Sequence, residues 1–319
     1  MAGQNQRAKY RGSLKRGCTI TAVDLVPSTT VAIKSLLASH LPPRVNTWLR
    51  QLRAAAYWGL EPIDYVTRKA NHLERYPPIS LRRRVGFLTG FDGVPSEFVA
   101  YLKLLCGLGP TSRVLDMGCG CGLLELELEK VVTRGECCAF DIHRPSINWA
   151  AKTIGSRSPH FRFLHADIHN EAYWPAGRLD ARTFLAQLQE PPFEIIVAKS
   201  LFTHMLPDEL QHYLDAVAAN LSADGKAMLT FFLLNDDQAR HEKSGRNQIT
   251  FLPVVGEAIH RIRYQNAPTA AVAYQERSLV ERLAAAGLQI VETRYGSWSG
   301  REDGLSFQDI LIVRRSTRQ

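Results

Sequence analysis

Leu115-Asp116-Met117-Gly118-Cys119-Gly120-Cys121-Gly122 is the stretch on which the fold turns. An apolar run from Arg113 ends in an acid, three glycines follow at alternate positions, and a helical pattern starts at once. Glycine lets a backbone turn sharply and lets a ligand approach closely. A helix beginning there offers free amides to that ligand. A Gly-x-Gly alone is a weak signal, so its surroundings matter. Asp141 closes the next apolar run, 19 residues beyond Gly122, where a carboxylate can accept both hydroxyls of a ribose. The nicotinamide fingerprint G-x-G-x-x-G asks for glycine at position 123, and Leu123 stands there.

Outward from this stretch, short apolar runs alternate with helical patterns. Strands are expected over 113–117, 136–141, 161–165, 193–198, 226–233, 289–295 and 307–313. Helices are expected over 122–132, 145–155, 207–221 and 277–286. Gly225 and Gly287 follow two of these helices as expected left-handed caps. The alternation predicts an α/β fold with a mostly parallel sheet and helices on both faces. Between the last two strands, Gly296 to Ser306 holds no helix. A parallel crossover needs about a dozen residues and usually a helix, so the last strand is expected to run antiparallel. Residues 235–274 separate a strand from its following helix by far more than the usual link of about two to six residues, which predicts a lid or substrate cap.

Ahead of this region, helices are expected over 29–40 and 44–58, broken by Leu41-Pro42-Pro43, and another over 95–105. The expected division is a basic flexible arm at 1–28, a helical N-terminal extension at 29–92, and a domain at 93–319 with its cap insertion at 235–274. The formal net charge of +8 sits wholly in the first 60 residues, which hold nine Lys/Arg and only Asp24 as an acid; the remainder holds 30 of each sign. Three readings fit such an arm: a solvated tail, an anionic-surface contact or an organellar targeting segment. No secretory signal is read. With 45% hydrophobic and 22% charged residues, a disordered, collagenous or simple coiled-coil chain is excluded. The longest apolar run, Ala227 to Leu234, is far short of the roughly 20 residues that span a bilayer. Cys119, Cys121, Cys137 and Cys138 lack the knuckle spacing of a zinc site, and read as small buried residues in a reducing compartment, taken as the cytoplasm.

The spacing Asp116, Gly118, Gly120, Gly122 resembles motif I of the class I S-adenosylmethionine-dependent methyltransferases. Ala139-Phe140-Asp141 resembles that family's second motif, His165-Ala166-Asp167-Ile168 its third, and Phe193 to Ala198 its fourth strand. The resemblance covers residues 111–234 well and 275–315 more loosely. It implies a Rossmann-like seven-stranded sheet and S-adenosyl-L-methionine as cofactor. It implies Asp116 at the methionine ammonium, Gly118, Cys119, Gly120 and Gly122 around the nucleoside, and Asp141 at the ribose. Ile142 would then pack on the adenine and Asp167 lie at its amino group, with Ile168 a further cofactor-binding residue and Lys199 at the methionine end. Phe202-Thr203-His204-Met205 and Tyr295 to Gly300 look similar to bacterial methyltransferases of glycan and natural-product clusters.

Each assignment has a plainer rival. Asp116 and Asp167 have the residue type that caps loops and helices. His204, the one histidine read as catalytic, is placed to take a proton from an acceptor hydroxyl at neutral pH, or is a buried histidine bonded to a backbone carbonyl. Arg82-Arg83-Arg84 reads as a solvated face, or as a clamp for the cofactor carboxylate or an anionic acceptor. Tyr264, His260 and Arg263 are candidates for substrate contact, and Trp298 and Tyr295 for core or lid. The expected activity is O-methylation of a small molecule, sugar or lipid-linked intermediate, with a homodimer compatible with the sequence. The rivals are a nucleic-acid methyltransferase that uses the basic arm, and a non-catalytic binding protein that keeps the fold.

Overall fold

The structure, a computed structural model, describes residues 56–86 and 91–316. The basic arm, the helix expected over 29–40 and most of that over 44–58 lie outside the described residues. Helices α1 (Glu61–Ala70) and α2 (Ile79–Arg82) lead into α3 (Gly93–Tyr101), which runs on as a wider turn over Leu102–Cys106.

Strands β1 (Arg113–Met117), β2 (Glu136–Asp141), β3 (Phe161–His165) and β4 (Phe193–Ala198) follow. Long β5 (Leu221–Phe231) and the short β6 (Leu233–Leu234) come after them. Helices α4 (Leu123–Leu128), α5 (Arg144–Ala150), α6 (Ala181–Leu188) and α7 (Pro207–Asn220) connect them. The chain then adds α8 (Asp236–Lys243), β7 (Leu252–Val254), β8 (Glu257–Ile262), β9 (Val272–Gln275), α9 (Glu276–Ala285), β10 (Leu288–Arg294) and β11 (Asp309–Arg315).

The main sheet has the order β10-β11-β5-β4-β1-β2-β3. Only β11 runs against its neighbours, because Gly296 to Gln308 is too tight for a crossover. Strands β1, β2 and β4 are apolar on both faces, as strands covered by helices on each side must be. Alternate residues feed two cores: Leu115, Phe140 and Ile196 on one face, Val114, Cys137 and Ile195 on the other. The chain builds β1, β2 and β3 in one direction and then returns to place β4 on the far side of β1. At such a reversal the loops after neighbouring strands part and leave a crevice. Asp116 pairs with Ala139 of β2 and Val197 of β4 in register, so the ends of β1, β2 and β4 open together there.

The expected strand 226–233 divides at Phe232. Beyond it, β6 opens a second sheet of order β6-β9-β8-β7, which uses most of the 235–274 insertion. Asp309 joins the two sheets. Its carboxylate accepts from the amides of Leu233 and Gly296 and from the Trp298 indole, each at 2.7 Å. Trp298 is wholly buried with Phe232 and with Phe251 of the insertion, so it packs into the core beneath the second sheet.

Gly225 corrects the sequence reading. Helix α7 ends at Asn220 on an extended Leu221, and Gly225 lies inside β5 beside a register shift against β4. A Cβ there would meet Leu221 Cδ1 at 2.9 Å and the Glu194 carbonyl at 3.0 Å, so its role is close approach. Gly287 does cap α9, with φ of +79° and its amide on the Ala284 carbonyl.

Candidate functional site

The glycine loop is tied to β2. The amides of Gly118 and Cys119 both donate to the Phe140 carbonyl, at 2.9 and 3.0 Å, and Gly122 donates to Cys119. The Gly120 amide donates to Asp141 Oδ2 at 2.9 Å. These four loop amides are committed within the protein. Gly118, Gly120 and Gly122 have φ of +80°, +58° and +78°. A side chain at Gly118 would also strike Leu201, from the loop after β4, and one at Gly120 would strike Val85, from the lead-in segment. The glycines therefore serve tight closure of three segments over the strand ends.

Asp141 ends β2 beside this loop. Its other oxygen accepts the His143 amide at 2.7 Å. Burial raises its carboxyl, while the two amides and the nearby Arg84 charge pull it back. Ile142 follows and packs on the main core. His143 lies alongside with Nδ1 2.7 Å from Ser146 Oγ, and burial lowers it to about 4, so it stands neutral.

Asp116, at the end of β1, is 3% exposed. Burial lifts it to about 6, opposed by a hydrogen bond from Glu125 and by the Lys199 charge. Lys199 leads out of β4 with its ammonium 4.7 Å over the Phe98 ring; burial lowers it, and Asp116 and Glu97 hold it up. An acid and a base thus stand together at the base of the crevice. A zwitterionic amino acid end needs that pair of partners, and a ribose needs a carboxylate one strand away, where Asp141 lies. The residue set fits S-adenosylmethionine.

Asp167 and Ile168 lie past β3. The Asp167 carboxylate accepts from the Arg178 guanidinium at 2.6 Å and the Trp174 indole at 3.3 Å, which lower it. Ile168 is 1% exposed within the core. Arg82 is buried against Asp64 and under the Phe91 ring, so it is no solvated face.

His204 lies in the turn Phe202–His204 after β4. Its Nδ1 lies 3.0 Å from the Thr269 carbonyl, in the insertion. A carbonyl only accepts, so Nδ1 carries the proton and Nε2 is the basic nitrogen. Burial lowers its pKa below 6.5, against the pull of the Thr269 and Ala270 carbonyls. The Tyr173 ring meets it edge-on at 6.1 Å. Tyr173 is set by Asn170, whose Oδ1 accepts the Tyr173 amide at 2.9 Å while its amide group donates to Glu209 at 2.7 Å. Of the insertion candidates, His260 is buried beside Tyr274, and Arg263 lies on the Tyr264 ring.

Sequence reasoning missed three residues here. Ser200 has φ of +54°, a strained value for serine. Its amide donates to Thr230 Oγ1 at 2.7 Å, and both hydroxyls donate to Gln308. Glu125 is wholly buried in α4, where all six residues are buried. Its helix reads Leu-Leu-Glu-Leu-Glu-Leu, which looks half exposed in the sequence and gave no signal of it. Tyr173 carried no signal.

The sequence pattern described as "Methyltransferase domain" matches residues 92–293. Similar solved structures include the Burkholderia thailandensis 1,6-didemethyltoxoflavin N1-methyltransferase, with 18% identity over 83% of this chain and 91% of that one, at a TM-score of 0.46. The CcbJ methyltransferase of Streptomyces caelestis is 16% identical over 73% and 94%, at 0.47. The mitomycin 7-O-methyltransferase MmcR is 12% identical over 92% and 74%, at 0.46. These likenesses are too distant to speak for an acceptor. Through its domain match, the chain belongs to the methyltransferase-domain family and is a class I S-adenosylmethionine-dependent methyltransferase.

Proposed function

We propose that this class I methyltransferase methylates a hydroxyl of a small molecule, sugar or lipid-linked acceptor. The observation that carries the donor half is the Asp116–Lys199 pair beside Asp141 at the opening of β1, β2 and β4. Asp116 takes the donor's ammonium, Lys199 its carboxylate and Asp141 the ribose hydroxyls. Ile142 flanks the adenine, and Asp167 and Ile168 border it. When bound, S-adenosylmethionine supplies an electrophilic methyl group on its sulfonium.

The rest falls to the protein. It holds the acceptor oxygen in line with that methyl, which contributes about 7–11 kcal/mol through orientation. His204 Nε2 takes the hydroxyl proton as the bond forms, a role worth about 10²–10⁴ in rate. The bond from Nδ1 to the Thr269 carbonyl keeps Nε2 free for this role, and the lowered pKa keeps the ring neutral at physiological pH. The 235–274 segment acts as a cap over the acceptor, on a domain spanning 93–319 that follows the basic arm (1–28) and helical extension (29–92). Free, buried Cys119, Cys121, Cys137 and Cys138 suit a reducing compartment, here the cytoplasm. Among the described residues no helix is long and apolar enough to cross a membrane.

The test is methyl transfer from labelled donor to a panel of hydroxyl, carboxyl and amine acceptors. Turnover of a hydroxyl acceptor that collapses in His204→Gln while donor affinity holds supports the reading. Turnover confined to carboxylates, which need no base, contradicts it.

A further inference from the structure

Glu125 stands directly after the glycine loop, in the first turn of α4, with no exposed surface. Neither carboxyl oxygen has a donor within hydrogen-bonding distance among the described residues. What faces it is a second acceptor, the carboxyl of Asp116 on β1. Two buried carboxyls that interact this closely cannot both be ionised; one keeps a proton and donates it in a hydrogen bond to the other.

The surroundings decide which one. Lys199, after β4, favours charge on Asp116 more than on Glu125, while Glu97 on α3 supports that lysine. Asp141 on β2 repels negative charge on both carboxyls. The thiols of Cys119, Cys121 and Cys137 also feel Glu125 and are themselves held neutral by burial. Burial raises both carboxyls, but the Lys199 charge and the hydrogen bond between them hold Asp116 down, while that same bond and the Asp116 charge raise Glu125, so the proton resides on Glu125.

We propose that Glu125 is a positioning residue for donor binding: as a neutral acid it donates to Asp116, and so keeps that carboxylate ionised and fixed for the donor's ammonium. This rests on the reading that Asp116 meets the ammonium end. A buried, uncompensated carboxylate would otherwise take up a proton itself and lose its hold on a cation. Glutamine can replace the neutral acid, since its amide N–H donates to the same oxygen. Leucine fills similar space and donates nothing.

The experiment is titration calorimetry of S-adenosylhomocysteine into the native chain, Glu125→Gln and Glu125→Leu between pH 5.5 and 7.5. That range lies below the region where a free α-amine titrates, near about 7.7–8.0. Expected are affinity within about threefold of native for Glu125→Gln, and a loss in Glu125→Leu of roughly tenfold near pH 6.5 that shrinks toward pH 7.5, as follows when Asp116 without its donor ionises only at higher pH. A folded Glu125→Leu with the native pH profile overturns the proposal, as does a folded Glu125→Gln that loses as much as Glu125→Leu. Infrared difference spectra add a readout independent of the leucine variant: native minus Glu125→Gln at pH 7 should show the stretch of one protonated carboxyl, with the contribution of Asp309, common to both chains, cancelled. Absence of that band from the difference spectrum overturns the proposal. Failure of the folded native chain to bind at all overturns the donor-site reading beneath it, a different result from either variant outcome.

Discussion

On the donor side of the crevice, the contact that closes the site joins Gly120 to Asp141, 21 residues apart, along neighbouring strands. On the side proposed for the acceptor, His204 is oriented by Thr269, 65 residues away, and faced by Tyr173, which hangs from an Asn170–Glu209 bond. The first half is a local device on the rigid centre of a parallel sheet. The second is assembled from the loop after β4, the loops after β3 and an insertion with its own small sheet. A methyltransferase needs the first half to be constant, since its donor does not vary, and can alter the second with its acceptor. The two halves should therefore fail separately when they are perturbed.

The largest effect is expected where they are joined. Asp309→Ala strands three buried donors, on Leu233, Gly296 and Trp298, and should destabilise the chain by about 3–5 kcal/mol in urea unfolding. A loss below about 1 kcal/mol would mean that the two sheets do not depend on this carboxylate. Burial raises Asp309 to about 7, so between the ordinary carboxylate range and pH 7 the folded chain binds the extra proton. Its ionisation then lowers stability as pH rises through that window, and Asp309→Asn should flatten the slope.

His204→Gln should lower the rate by about 10²–10⁴ and leave donor affinity unchanged, which isolates the acceptor half. Because burial lowers the His204 pKa below 6.5, the native rate should stay level from neutral pH down past 6.5 and fall only in more acidic solution. A decline centred above pH 7 would point to a different base.

Gly120→Ala should do the reverse. Its φ of +58° and a Cβ 2.5 Å from Val85 Cγ1 disturb the loop by about 1–2 kcal/mol. Calorimetry should read this as a roughly tenfold weaker donor, with residual activity at saturating donor. Ser200→Gly is expected to be the mildest: relief of φ at +54° is worth about 1 kcal/mol, offset by loss of the hydroxyl bond to Gln308. Thermal melting should move by only a few degrees in either direction.

The same contrast governs what the sequence discloses. Strands β1 to β4 are continuous apolar runs with adjacent partners, and their limits read from the sequence match those observed. The antiparallel β11 was legible from the shortness of its connection. Helix α6 was legible and missed: Ala181, Phe184 and Leu185 lie at helical spacing, and Asp180 caps it by accepting the Thr183 amide at 2.7 Å. The second sheet was not legible. Its strands hold two to six residues, one contains Pro253, and its tie to the rest of the chain is the long-range pairing of Leu233 in β6 with Tyr274 in β9. Gly225 misled because a glycine after a helix resembles a cap, whereas here the strand starts first and the glycine makes room within it. Asp116 stood out in the sequence, but its partner Glu125 is recognisable only once α4 is seen to be buried on every side.

The central claim, that Asp141 at the end of β2 anchors the donor, is tested most directly by calorimetric titration of S-adenosylmethionine and S-adenosylhomocysteine into the native chain and into Asp141→Ala, with melting curves to verify that both are folded. Micromolar binding by the native chain, weakened at least a hundredfold in the variant, is the predicted result. Equal affinity in the two folded proteins would contradict it.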